Sequence, residues 1–383
     1  MKTAMYIGPF QLPDKNAAAQ RVLNNAKALR VLGYDTIFVG LNPDANAEFE
    51  KTKYEYDGFK IYELRCSGAI DKIKKFSSFE WFEKLLLQYD IAAVIAYDYY
   101  ALGLYRIKCL CNKRGLPIIA DTDEWFAATG RTLPERIIRK VDSEVRMRFL
   151  QPKLDGVIAI SEFLYKYYSA KTLTVKIPPL VDKSEIKWKI KSEATDNDVL
   201  KIVYSGSPGT SKDKINKVVE YLANIDTAYE IKLDVIGITM QQFLEVYPEC
   251  ESMLKKNSKQ ITFMGRLAHK EALSLLQKAD FSMFLRDDNR VTKAGFPTKF
   301  VESISAGVPV ITNGTSNIAD YLKNGQNGFL LGENIGCELE KILQSDFLYL
   351  KEIKQKVDSD IFDYNNFLCS FSKIVDVIEK TNE

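Results

Sequence analysis

The stretch Arg286-Asp287-Asp288-Asn289-Arg290-Val291-Thr292-Lys293-Ala294-Gly295-Phe296-Pro297-Thr298-Lys299-Phe300-Val301-Glu302, continued by Ser303-Ile304-Ser305-Ala306-Gly307-Val308-Pro309-Val310-Ile311-Thr312-Asn313, decides how this chain is read. The apolar run Phe281–Leu285 before it reads as a strand. A polar loop follows, Gly295 permits a tight turn, and a helix opens near Thr298. A second apolar run, Val308–Thr312, reads as the next strand. Strand, loop, helix and strand make the repeating unit of a parallel α/β sheet. Unpaired N–H groups at the helix start form an anion site. Lys299 adds a cation in the first turn, where the helix dipole disfavours one; a bound phosphate would account for it. Glu302, one turn further, is placed to accept two hydroxyl hydrogen bonds, as from a ribose. The plain alternative is a capped helix with a surface Lys and Glu.

The same alternation extends in both directions. In the first half, strands are expected at Ala4–Gly8, Thr36–Val39, Ile91–Ala96, Pro117–Ala120 and Gly156–Ile160. A helix from about Asn16 to Leu32 keeps Ala19, Val22, Leu23, Ala26 and Leu29 on one face, and Gly33 ends it. The unbroken apolar run Ile91–Ala96 fits a strand covered on both faces. Ile177-Pro178-Pro179-Leu180-Val181-Asp182 leads into a polar, charged stretch, after which the alternation restarts at Lys201–Ser205. The expected fold is therefore α/β, with two doubly wound Rossmann-like domains facing across a cleft and ligands at the carboxyl ends of the strands. The expected boundaries are 1–182, a linker at 183–199, a second domain at 200–362, and a C-terminal helix at 363–383 packing back on the first domain.

Composition narrows the function. With 383 residues, 46% hydrophobic and 27% charged, the chain is long enough for two cores. Its 53 Lys and Arg against 51 Asp and Glu give a net charge of +2, which argues against a dedicated nucleic-acid binder. The opening Met1–Gly8 is too short, and too soon broken by Gly8-Pro9, to read as a signal peptide. Six dispersed cysteines without a Cys-x-x-Cys pair read as reduced thiols in a cytoplasmic protein. The single histidine, His269, excludes multi-histidine metal sites and reads as a solvated or helix-end residue.

With its sequel Gly325-Gln326-Asn327-Gly328-Phe329, the 294–313 segment resembles the donor-binding region of retaining glycosyltransferases of family 4, which have the GT-B fold. That family reads Glu-Gly-Phe, five residues, Glu, a helix, Gly-x-Pro-Val-Ile, and later Gly-x-x-Gly-Phe. Gly295, Phe296 and Glu302 match it. Ala294 stands where the family has its first Glu, a departure also familiar from bacterial polysaccharide clusters. Tyr204-Ser205-Gly206-Ser207-Pro208-Gly209-Thr210-Ser211-Lys212-Asp213 looks like the first strand and loop of the C-terminal domain. There Lys212 matches a diphosphate-gripping Lys, and Ser207 lies near the place of an Arg. Arg286 or Arg266 could supply the missing guanidinium.

The resemblance implies transfer of a sugar from a UDP- or GDP-linked donor, with retention, to a hydroxyl of a glycan or lipid-linked glycan, with no resident cofactor or metal. Lys299, Arg286 and Lys212 would stabilise the leaving diphosphate. Gly206, Ser207, Arg266, Gly295, Phe296, Pro297, Thr298 and Glu302 would hold the donor. The acceptor is expected in the first half, near Gly8, Asn16, Arg21, Asp121, Asp123 and Glu124, at strand ends and a helix start. Residues 131–153 interleave basic and apolar side chains. They read either as a solvated surface helix or as one touching anionic lipid at the inner face of the plasma membrane, with 72–76 adding to that face. Two rivals stay open: a nucleotide-sugar epimerase on the same scaffold, and a non-catalytic subunit that binds nucleotide or glycan.

Overall fold

The computed structural model describes residues 2–13, 15–46, 48–66, 71, 74–75, 78–126, 132–188, 199–206, 212–257 and 259–382. Ser207 and most of the expected linker, 189–198, lie outside them, as do Arg131 and residues 72, 73 and 76. The chain forms two compact units. The first comprises Met1–Val181 with Ala294–Phe296 and Asp363–Glu383; the second comprises Asp182–Lys293 with Pro297–Phe362.

Among the described residues, the first unit has an eight-stranded sheet. Its strands are β1 (Lys2–Ile7), β2 (Tyr34–Asn42), β3 (Tyr54–Tyr56), β4 (Phe59–Arg65), β5 (Ile91–Tyr97), β6 (Ile118–Thr122), β7 (Gly156–Ala159) and β8 (Thr174–Lys176). They lie in the order β3-β4-β2-β1-β5-β6-β7-β8, all parallel except β3 against β4. All seven residues of β5 are buried, as an apolar run sandwiched between helical layers should be. Helices α1 (Ala17–Val31), α2 (Glu80–Gln88), α3 (Ala101–Lys113), α4 (Leu133–Val145) and α5 (Glu162–Ser169) belong to this unit. Asn16 caps α1 by accepting from the Ala19 amide at 2.9 Å, and Gly33 leaves the helix at φ +91°. The apolar positions of α1 named from the sequence are all buried.

The second unit has a six-stranded parallel sheet among the described residues. Its strands are β9 (Val199–Ser205), β10 (Glu230–Ile236), β11 (Ile261–Gly265), β12 (Phe281–Phe284), β13 (Val310–Asn313) and β14 (Gly328–Leu331), in the order β11-β10-β9-β12-β13-β14. Its helices include α6 (Ile215–Asn224), α7 (Met240–Val246), α8 (Glu251–Lys256), α9 (His269–Lys278), α10 (Arg290–Ala294), α11 (Thr298–Ser305), α12 (Ile335–Leu343) and α13 (Phe347–Ile353), α10 ending on the first residue assigned to the other unit. Val203, Ile236, Leu273, Leu276, Ala279 and Val308 form one of its buried clusters.

Two local features differ from the pattern reading. The loop after β12 is not all loop: it holds the one-turn helix α10, because Asn289 Oδ1 accepts from the Val291 and Thr292 amides at 2.9 and 3.1 Å. β14 is an added edge strand, which requires glycine at 328: a Cβ there would lie 1.9 Å from the Val310 carbonyl oxygen.

The C-terminal helix, α14 (Leu368–Asn382), belongs to the first unit. It buries Phe371, Ile374 and Ile378 in the cluster that holds Val22, Leu29 and Tyr34. Both units are thus parallel-sheet, Rossmann-like α/β domains.

Candidate active site

In the second unit the strand order reverses between β9 and β12, whose carboxyl ends therefore flank a topological switch point. β9 ends with Tyr204 and Ser205 and runs into Gly206, and β12 runs on towards Arg286. The chain after β9 is stitched to the end of β12: the Lys214 amide donates to the Leu285 carbonyl at 2.8 Å, and Asp213 and Arg286 form an antiparallel bridge. Asn313, ending β13, clamps the Arg286 backbone, accepting from its amide at 2.9 Å and donating to its carbonyl at 2.7 Å. The backbone of Arg286 is thus fixed on both sides before its side chain does anything.

Three side chains meet here around Asp213. Arg286 Nε donates to Asp213 Oδ1 at 3.1 Å, and the Tyr204 hydroxyl donates to Oδ2 at 2.9 Å. Lys299, in the first turn of α11, forms an ion pair with the same Oδ2. Its ammonium lies 4.2 Å from the centre of the Tyr204 ring. Gly206 has φ +149°, and a Cβ on it would come within 2.8 Å of Lys299 Nζ, so the lysine occupies space that only glycine leaves. The side chains of Asp213, Arg286 and Lys299 are 8%, 9% and 15% exposed. One carboxylate therefore faces two cations, and the cluster keeps one excess positive charge.

Two properties make this cluster receptive to an anion. Among the described residues, Arg286 Nη1 is buried without a hydrogen-bond partner. Leaving such a donor unpaired costs about 1–3 kcal/mol, which an incoming oxyanion would relieve. The helix α11 starts at Pro297 without a side-chain cap and has no acidic residue in its first turn. Burial pushes the Asp213 carboxyl up, but Lys299 and then Arg286 outweigh it and hold it below the ordinary carboxylate range. Burial pulls the Lys299 ammonium below the ordinary lysine range, against the opposing pull of Asp213.

Glu302, one turn along α11, is half-buried and its Oε1 lies 2.8 Å from His269 Nε2. His269 is the first residue of α9. Its partner is what the sequence did not reveal. Arg266 is exposed at the end of the edge strand β11. Lys212 is half-buried next to Asp213. Gly206, Pro297, Thr298 and Glu302 belong to the second unit with the cations, whereas Gly295 and Phe296 group with the first. Phe296 is buried there, and the carbonyl of Ala294 accepts from Ser161 Oγ at 2.6 Å.

The acceptor residues expected in the first unit need correction in three places. Arg21 is not available to an external anion. It is buried and meets Asp121 at 2.6 and 2.9 Å, while its Nη1 donates to the carbonyls of Ile177 and Pro178 at 3.0 and 3.3 Å. Asp121 is equally committed, since it also accepts from the Tyr6 hydroxyl at 2.5 Å. Gly8 makes room for the neighbouring strand end rather than for a ligand: a Cβ would lie 2.5 Å from the Tyr97 carbonyl oxygen. Asn16 is exposed and serves as the cap of α1. Asp123 accepts from the Tyr97 hydroxyl, and Glu124 is half-buried next to it.

Asp213, Tyr204 and Asn313 were missed by sequence reasoning. The one available signal was an acid flanked by Lys212 and Lys214 just past a strand end. Among the described residues, no cluster of three or more His, Cys, Asp or Glu side chains is placed to hold a metal ion.

Residues 185–349 match the family model for glycosyl transferases, group 1. No curated protein matches the chain. Solved structures match nearly end to end. Sucrose-phosphate synthase from Thermosynechococcus elongatus superposes with a TM-score of 0.72 at 14% identity, covering 98% of both chains. HepE from Anabaena, in complex with UDP and glucose, gives 0.64 at 12% identity, covering 98% of this chain and all of that one. The apo lipopolysaccharide outer core galactosyltransferase WaaB gives 0.62 at 14%, covering 97% and 99%. The fold is that of GT-B glycosyltransferases, and residues 185–349 are similar to the group 1 glycosyltransferase model.

Proposed function

We propose that this chain is a retaining hexosyltransferase of the family 4 kind, moving a sugar from a UDP- or GDP-linked donor to a hydroxyl of a glycan or lipid-linked glycan. The observation that carries the reading is the unpartnered Nη1 of Arg286, buried beside Lys299 at a topological switch point. The group 1 match over 185–349 supports it, and HepE, of the same fold, is described with UDP and glucose bound.

Cleavage of the anomeric C–O bond leaves the bonding electrons on the diphosphate. Lys299, Arg286, Lys212 and the amides opening α11 are suited to stabilise that charge. Glu302 keeps Oε1 toward His269 and offers Oε2 to the ribose hydroxyls. The acceptor oxygen bonds to the anomeric carbon on the face the diphosphate leaves, and its proton passes to a leaving phosphate oxygen, so the step needs no separate base. The reading uses no resident cofactor. It assigns the acceptor to the first unit, with Asp123 and Glu124 as the remaining strand-end carboxylates. It also includes contact of 131–153 with the inner face of a membrane.

Product analysis tests it. Release of UDP or GDP from a nucleotide sugar only when a glycan acceptor is present, and its loss in Lys299→Ala, is expected. Interconversion of donor isomers without acceptor would indicate an epimerase. Nucleotide binding without turnover would indicate an accessory subunit.

A further inference from the structure

His269 on α9 and Glu302 on α11 meet within the second unit, and neither helix needs the contact to stay in place. α9 is held by Leu273 and Leu276, which are buried with Val203, Ile236, Ala279 and Val308. α11 is held by its buried residues Phe300, Val301 and Ile304. The start of α9 is closed without the imidazole, since the Ala268 amide donates to Glu271 Oε2 at 3.1 Å. The side chains of His269 and Glu302 are 37% and 36% exposed, and a polar pair that wet adds little to stability. Its consequence lies in what it does to the carboxylate.

The direction of the bond follows from the groups. An ionised carboxylate only accepts, so His269 Nε2 carries the proton and donates to Glu302 Oε1 at 2.8 Å. The neutral Nε2–H tautomer and the imidazolium both supply that donor, so the bond does not require a charged ring. Among the described residues, no other side chain donates a hydrogen bond to Glu302, and Oε2 is left open. Lys299 lies three residues earlier on the same helix, a spacing at which Lys and Glu commonly pair. Its ammonium is instead engaged by Asp213. Glu302 is thus held by a donor from another helix and not by the lysine of its own. A Glu side chain has rotamer freedom that a ligand must otherwise remove on binding; a partner that orders it beforehand spares the ligand that cost.

We propose that His269 is a positioning residue for the donor: its Nε2–H fixes the Glu302 carboxylate through Oε1 and leaves Oε2 for the ribose hydroxyls. Part of the preference for a ribonucleoside diphosphate over its deoxygenated counterpart is then set by His269, a role that rests on Glu302 being the ribose ligand of the proposed function. His269 touches neither the sugar nor the diphosphate and acts only through Glu302.

Titration calorimetry of the full chain with UDP and GDP, and with their 2′,3′-dideoxy counterparts, tests this. Glu302→Ala should erase the preference for the ribose form. His269→Ala should weaken binding of the ribose form about fivefold, leave the dideoxy form unchanged, and have no further effect in a Glu302→Ala background. His269→Gln, whose amide nitrogen can take the place of Nε2, should restore the preference. Melting shows whether the variants fold, and His269→Phe, which keeps a ring and loses the donor, replaces the alanine variant if that one does not. If Glu302→Ala erases the preference while folded His269→Ala or His269→Phe keeps it, the role of His269 is overturned and Glu302 stands as ribose ligand. Equal weakening of ribose and dideoxy forms in those variants overturns it too, since a merely structural histidine would do that. A preference unchanged in Glu302→Ala, or no binding of UDP or GDP at all, removes the reading of Glu302 and the role of His269 with it.

Discussion

Asp213 contributes to the proposed donor site by being the wrong charge for it. With cations alone in that place, Lys299 and Arg286 would repel each other where hydration is poor. The carboxylate between them fixes both and lets Lys299 keep its proton. The consequence is a pH dependence with a definite sign. Burial sets the Lys299 pKa below the ordinary lysine range, so as pH rises the lysine loses its charge earlier than a free one would. Affinity for UDP or GDP should fall on the alkaline side, in titration calorimetry, before an ordinary lysine would titrate. Lys299→Arg should abolish that fall, since guanidinium stays charged. Asp213→Asn should move it to still lower pH, because the opposing negative charge is gone while Arg286 remains. A purely structural Asp213 would weaken binding equally at every pH. Glu302→Ala should cost about 1–3 kcal/mol of nucleotide affinity if its free oxygen holds ribose hydroxyls; unchanged affinity would leave it only the His269 contact.

At the scale of elements, each strand end has a distinct task. β9 brings Tyr204 and Gly206, β12 brings Arg286, and β13 brings the Asn313 clamp, while α11 delivers Lys299 to the same carboxylate. In the first unit the corresponding place at the end of β6 is filled differently: Asp121 is neutralised by Arg21 and sealed by Tyr6. That contrast explains why similar architectures give one open cationic cluster and one closed ion pair. The C-terminal helix α14 is a packing element. Phe371 is wholly buried in the cluster beneath α1. Phe371→Ala should destabilise the first unit by about 3–5 kcal/mol, measured by urea unfolding, with UDP binding unaffected when assayed below the transition.

For the whole molecule, one chain carries two Rossmann-like units. The cations, Asp213 and Glu302 all lie in the second unit, so a nucleoside diphosphate held there should stabilise that unit first. Differential scanning calorimetry should show a UDP- or GDP-dependent rise of one transition, worth about 2.7 kcal/mol at a hundredfold excess over Kd. Lys299→Ala should remove the rise. An equal rise in that variant would move the nucleotide away from α11. Among the described residues no helix is long and apolar enough to cross a membrane.

Periodicity alone determined the alternation of strands and helices, the two Rossmann-like units and the helix opening at Thr298, because buried parallel strands and helix starts leave local marks in composition. Lys299, Arg286 and Glu302 were legible as a group because they lie within seventeen residues of one strand–loop–helix unit. Whether a charge meets a ligand or a neighbour is not a local property. Arg21 finds Asp121 a hundred residues away, and Lys299 finds Asp213 eighty-six residues away, so only the folded sheets decide which cation is sealed and which retains a buried donor without a partner. Helix α4 follows the same logic: its amphipathicity is written in the sequence, but that Leu133, Ile137, Ile138 and Val141 are exposed depends on Ser143, Asp142 and Arg146 being the residues that hold it to the rest of the unit.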